Sequence, residues 1–182
     1  MANSTNTSLR QLYHEYRPAI LFLIRFLGTY ILGNVIYGIW VTGYGNLADP
    51  FTHIVTNHAA SVLRAIGFDA DTLSSTVRAS VALTLDGKTV VNVFEGCNAI
   101  NVSILFIAFI VAYKGSWQNT VIFSLLGLVS IYLFNLIRVS SLFLVAKFFP
   151  DHLYYMHKFV FTGVIYAYVF VLWYLWVKKY TK

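Results

Sequence analysis

The stretch AILFLIRFLGTYILGNVIYGIWV, residues 19–41, carries a single charge, Arg25, in an otherwise uncharged run. About 20 such residues suffice for an α-helix to cross the hydrocarbon core of a bilayer. A soluble fold would have to hide all of them, and the rest of the chain has too little polar surface to do so. Of its 182 residues, 58% are hydrophobic and 11% charged. Ordinary soluble domains are about 45–50% apolar and about 25% charged. The chain therefore reads as an integral membrane protein, with a length that suits one compact unit over residues 1–182. The first 18 residues, MANSTNTSLRQLYHEYRP, are polar, and the apolar run after them exceeds the about 7–15 residues of a signal peptide. It is expected to be a retained membrane helix behind a cytoplasmic segment, residues 1–18.

Three more segments qualify as spans: roughly Asn98–Tyr113, Trp117–Ile137 with an apolar continuation to Phe149, and Phe159–Val177. Val139–Phe149 reads either as a separate interfacial helix or as part of a longer tilted one. Residues 42–96 differ in character and form an expected extracytoplasmic insertion. GYGNLADP (43–50) is a turn-rich exit from the membrane. FTHIVTNHAASVLRAIG (51–67) spaces Ile54, Val55, His58, Val62 and Ile66 near one helical face, as for a helix lying along the membrane surface. STVRASVALTLDGKTVVNVFEG (75–96) reads as a β-hairpin turning at Asp86-Gly87. The expected fold is thus an all-α polytopic membrane protein of about four transmembrane helices, with an amphipathic helix and a small β-hairpin outside.

The lone cysteine excludes an intrachain disulfide and any multi-cysteine metal site, and the five histidines form no ligand cluster. No metal or cofactor is implied. The net charge of +6 comes from basic residues scattered or placed at the ends of apolar segments, which suits membrane flanks rather than nucleic acid. Arg10, Arg17, Lys114, Lys178, Lys179 and Lys182 fall on one side of a four-helix arrangement, giving both termini inside. Arg64, Arg78, Lys88, Lys147 and Lys158 fall on the other, beside Asp49, Asp69, Asp71, Asp86, Glu95 and Asp151.

This topology puts three reactive side chains at one depth, on the outer face. Cys97 stands at the start of the second apolar helix, Arg138 at the end of the third and His157 at the start of the fourth. Taken singly, the cysteine reads as a small hydrophobe and the histidine as an interfacial ring. The arginine, inside an apolar run, marks function or pairing. Together they suit nucleophilic chemistry. A thiolate is the attacking form of cysteine and is favoured near a helix N-terminus. A histidine can take the thiol proton and return it to a leaving amine. An arginine stays charged and can hold an oxyanion. Asn101, one helical turn below Cys97, and Asn135, on the Arg138 face, could orient substrate or a partner side chain. Glu95 either pairs with Arg138 or His157 or is solvated.

Around these residues the chain resembles the exosortase/archaeosortase family of membrane cysteine enzymes. The resemblance lies in EGCNAINVSILF (95–106), NLIRVSSLFLVAKFF (135–149) and HKFVFTGVIYAYVFVLW (157–173), and covers roughly Gly96–Val177. It looks nearest to the short exosortase F type. The resemblance implies a Cys97–Arg138–His157 triad on catalytic helices within residues 97–177; Glu95, Asn98, Asn101 and Asn135 beside it are read from their positions as supporting or substrate-binding residues. It implies cleavage of C-terminal sorting signals (a motif, a transmembrane helix and a basic tail) in the bacterial inner membrane, through a thioester passed to an acceptor. Asn98-Ala99 depart from the Ser-Gly that follows the cysteine in many relatives, and about four helices replace about eight. His152 is a rival to His157, and the Gly163 spacing favours the latter.

Two other functions fit the composition. One is a non-catalytic assembly or scaffold subunit of a sorting system, in which Cys97 would be inert. The other is a small transporter. It fits less well, because the buried charge sits at one end of its helix rather than at the midplane.

Overall fold

The computed structural model describes residues 2–113 and 115–180, with side chains described for 13–113 and 115–179. The side chain of Arg10, and all of Lys114 and Lys182, which entered the charge argument, lie outside this set. The first helix, α1, runs over Ala2–Thr42. At 1.5 Å per residue its 41 residues reach about 60 Å. The polar N-terminal segment thus continues the membrane helix rather than preceding it. α2 (Pro50–Ala65) follows, then strands β1 (Ala70–Ser74), β2 (Ser80–Leu85) and β3 (Lys88–Phe94). A 3₁₀ turn, Glu95–Cys97, leads into α3 (Ile100–Ala112) and then α4 (Trp117–Phe148). The chain closes with a 3₁₀ turn, Pro150–His152, a one-turn helix α5 (Leu153–Tyr155), a π-helical turn, Met156–Phe161, and α6 (Thr162–Tyr180).

Among the described residues, three helical stretches are long and apolar enough to cross a membrane: Tyr13–Thr42, Trp117–Phe148 and Pro150–Lys179. The expected fourth span, α3, has 13 residues. That is about 20 Å, short of a hydrocarbon core about 30 Å thick. α3 is apolar on every side and packs among α1, α4 and α6. Small residues let it approach closely. A methyl group on Gly127 of α4 would stand 2.2 Å from the Phe106 ring, and one on Gly33 of α1 would stand 2.7 Å from Ile104. Phe106, Ile110, Ile131, Val169, Leu172 and Trp176 form this bundle's core, joined at its upper end by Ala99.

Val139–Phe149 is not a separate helix. α4 runs unbroken for 32 residues, about 48 Å, and its second half leaves the bundle to build another core. Leu136, Val139 and Phe143 meet Val55, Ala59, Ala60 and Leu63 of α2 and Leu83 and Val93 of the sheet. This packing gives α2 a second face, covered by the chain itself. Its buried residues are Thr52, Val55, Thr56, Ala59, Ala60 and Leu63. Of the expected stripe only Val55 is buried, whereas Ile54, Val62 and Ile66 are exposed, as is Phe51. The helix is apolar on two adjoining faces, and a periodicity argument cannot choose between them. His58 Nδ1 meets the Tyr132 hydroxyl of α4 at 2.6 Å, and Phe51 packs edge-on against Trp40 of α1.

The expected hairpin is part of a three-stranded antiparallel sheet in the order β1-β2-β3. The turn at Asp86-Gly87 is as read: both residues have positive φ, 52° and 72°, the pattern of a two-residue turn that matches strand twist. A bulge between Leu83 and Thr84 shifts the β2–β3 register. β1 was missed because its sequence, ADTLS, is short and half polar.

Candidate active site

Cys97 ends the 3₁₀ turn that follows β3, where the two cores meet: it packs into the outer one, and Ala99 into the bundle. Ala99 has φ +66°, a left-handed conformation that costs an L-residue roughly 1–2 kcal/mol. This bend separates Cys97 from α3, which starts only at Ile100. The thiol therefore does not stand on the first turn of the helix. The bend also removes the expected helical relation between Cys97 and Asn101, which is exposed and makes no hydrogen bond to Cys97, Arg138 or His157 among the described residues. It supplies a physical account of the Asn98-Ala99 departure. The second position after the cysteine needs a positive φ, which suits the family's glycine, and alanine meets the same need under strain.

Asn98 holds the bend. Its Oδ1 accepts the Ile100 N–H at 3.0 Å. Its Nδ2 faces the Tyr37 hydroxyl at 2.8 Å, Thr52 Oγ1 at 3.2 Å and Asp49 Oδ2 at 3.4 Å. Asp49 is fully buried and caps α2, accepting the N–H groups of Phe51 and Thr52 at 2.9 and 3.1 Å. The Thr52 hydroxyl donates to its other oxygen at 2.5 Å. Its burial is compensated by these donors and by the positive end of the helix. Asp49, Thr52 and Tyr37 were missed as site residues. The signal was present, since Asp49-Pro50 before an apolar-periodic run is a helix-start signature.

α4 contributes Asn135 and Arg138, one turn apart and both buried. Asn135 Nδ2 donates to the Cys97 carbonyl at 2.8 Å, and its Oδ1 accepts from Arg138 Nη1 at 3.3 Å. Asn135 thus ties the arginine to the backbone that carries the thiol. Arg138 Nε is buried without a hydrogen-bond partner among the described residues. A native buried donor rarely stays unpaired. Glu95 is half-buried, and no hydrogen bond or ion pair joins it to Arg138 or His157 among the described residues.

His157 lies 60 residues from Cys97 in sequence, and its Nε2 is 3.5 Å from the cysteine sulfur. It stands in the π-helical turn Met156–Phe161, a form that recurs at functional sites. The Thr162 hydroxyl anchors the turn by donating to the His157 carbonyl at 2.9 Å. Arg138 is within electrostatic reach of the same ring. His152 lies in the Pro150–His152 turn, exposed, with no contact to the thiol among the described residues. The thiol is 8% exposed and the imidazole is open to solvent, so a reactant would approach past the histidine.

The arrangement combines a thiol, a histidine nitrogen at hydrogen-bond distance and a buried cation with a free donor. It suits acyl transfer. No curated protein and no solved structure matches the chain. The family model for transmembrane exosortases matches residues 17–176. The match reaches beyond the three motifs to take in most of α1, α2 and the sheet. The chain belongs to the transmembrane exosortase family.

Proposed function

We propose that this protein is a sortase-like cysteine peptidase or transpeptidase, nearest the short exosortase F type, that cleaves C-terminal sorting signals. The observation that carries the reading is the 3.5 Å approach of Cys97 Sγ to His157 Nε2. In this reading His157 Nε2 takes the thiol proton and Sγ attacks the scissile carbonyl carbon. Arg138 Nε, the donor without a partner, binds the oxyanion as it forms. The tetrahedral adduct collapses, the C–N bond breaks, and the leaving amine takes the proton from His157. A thioester remains on Cys97. An acceptor amine, hydroxyl or water then attacks the thioester, giving a proton to His157; the C–S bond breaks, and Sγ takes that proton from His157 as it leaves, restoring the thiol and the neutral imidazole. Asn135 and Asn98 fix the backbone of the attacking residue.

In this reading the protein sits in the inner membrane of a bacterium as one unit, with the site facing out. The lipid bilayer and the sorting signal of exported proteins are its partners. The exposed stripe Phe51, Ile54, Val62 and Ile66 continues the lipid-facing surface of α1 through the Trp40–Phe51 contact. This supports a position for α2 along the outer membrane surface.

The test is processing in cells. Cys97→Ala, Cys97→Ser and His157→Ala should each accumulate full-length precursor of proteins ending in a motif, a hydrophobic helix and a basic tail. His152→Ala should not. Normal processing in the Cys97→Ala strain would sink the proposal.

A further inference from the structure

The two edges of the small sheet differ. On the outer side of β1, Arg64 Nη1 occupies the Ala70 carbonyl at 2.7 Å, and the Ala70 N–H donates to Phe68 O at 2.8 Å. The Thr72 N–H is taken by the side chain of Asp71 at 2.7 Å. Local groups therefore close the first half of this edge, from Ala70 to the Thr72 N–H, a common protection against unwanted strand pairing. β3, the other edge strand, has no such closure. The Phe94 carbonyl belongs to the 3₁₀ turn that follows, as the acceptor of its first bond; no other backbone group of Lys88–Phe94 has a hydrogen-bond partner outside the sheet among the described residues.

The register shows which residues face outward. Ser80 turns its backbone toward β1, where its carbonyl accepts the Ser75 N–H at 3.1 Å. Phe94 stands opposite Ser80, and Asn92 opposite Ala82. In an antiparallel ladder such partners do not exchange hydrogen bonds, so the N–H and C=O of Asn92 and the N–H of Phe94 point away from the sheet and are free for a further strand. Their side chains are exposed, whereas Val93 between them is buried in the outer core. This open edge ends at Phe94, three residues before Cys97.

We propose that the free edge of β3 is the docking strand for the substrate. The substrate's extended segment, on the acyl side of the scissile bond, pairs with Asn92–Phe94 and is led by that pairing to the Cys97 sulfur. The inference rests on the acyl-transfer reading above and names how that site receives a polypeptide. It also sets the direction of pairing. β3 leads through Cys97 into α3, which packs inside the transmembrane bundle. A sorting signal likewise passes from an extended segment into its own membrane helix. Both chains therefore run the same way, and the added strand is parallel to β3. Backbone pairing of this kind supplies affinity for any extended sequence and leaves side-chain choice to the surroundings of the thiol. Phe94, 40% exposed beside the edge, is placed to pack against the substrate residues nearest the cut.

The test uses the full-length protein in proteoliposomes, with a precursor that accumulates uncleaved in Cys97→Ala cells. In the complex of that precursor with the Cys97→Ala protein, amide exchange at Asn92 and Phe94 should slow at least tenfold relative to the free protein. Exchange at the outer amides of β1 should stay the same. With the cysteine present, Asn92→Pro removes one outward N–H and should raise KM for the precursor about 3–10-fold above Asn92→Ala, which keeps it. A complex that holds the precursor while exchange at both residues stays unchanged overturns the pairing and leaves the acyl-transfer reading standing. If no precursor accumulates in Cys97→Ala cells, that reading fails and the docking strand with it.

Discussion

Replacing Asn135 with leucine tests whether the arginine and the cysteine backbone are held as one unit. The side chains are similar in size, and the site is fully buried, so packing is nearly conserved and the polar loss dominates. Two bonds vanish: the 2.8 Å bond to the Cys97 carbonyl and the 3.3 Å bond from Arg138 Nη1. A buried carbonyl left unpaired costs about 1–3 kcal/mol, and a lost bond to a charged donor about 1.5–3 kcal/mol. The second bond is long, so its share belongs at the low end. The sum is about 3–4 kcal/mol, a fall in melting temperature on the order of 10 °C for a chain of this size. Thermal unfolding of the purified protein in detergent measures it. The double variant Asn135→Leu with Arg138→Met removes both ends of the second bond. It should cost less than the sum of the single variants by about 1–2 kcal/mol. If Asn135→Leu costs under about 0.5 kcal/mol, or if the two changes add without coupling, Asn135 does not join Arg138 to Cys97.

Two further predictions concern the frame around the site. Gly127→Ala drives a methyl group into the fully buried Phe106 ring and should destabilise the bundle by about 1–3 kcal/mol; the same change in a Phe106→Leu background should cost less, read by the same unfolding assay. Asp49→Ala removes the cap of α2 and an acceptor for Thr52 and Asn98, which should cost about 2–4 kcal/mol; it should also speed labelling of Cys97 by a polar maleimide, since the bend loses its anchor, and an unchanged labelling rate would contradict that role.

Membrane character, the start of α4 at Trp117 and the Asp86-Gly87 turn were legible because each follows from local composition or from one residue's backbone preference. Cys97, Arg138 and His157 were singled out by local pattern too, as polar groups at or inside apolar runs. Asn135 was legible from its spacing to Arg138. Asn101 was misplaced because its relation to Cys97 assumes a continuous helix, and the strained bend at Ala99 is invisible in an apolar pattern. The face of α2 that packs against the rest of the chain was not legible, for a different reason. Phe51, Ile54, Val62 and Ile66 are as hydrophobic as Val55 and Leu63, and which set is covered depends on what arrives from elsewhere in the chain. Here the arriving surface is the second half of α4 together with the sheet.

Long-range meetings cannot be derived from local pattern in the same way. The 3.5 Å approach of His157 to Cys97 requires the π-helical turn to aim the ring, the Asn98–Asp49–Tyr37 network to hold the bend, and Asn135 to lock the cysteine carbonyl. Each contact joins segments about 40–60 residues apart. Periodicity and hydropathy report only how a segment partitions between water, lipid and core. They place Cys97, Arg138 and His157 at one level of the membrane. Side-chain packing between distant segments turns a shared level into a site.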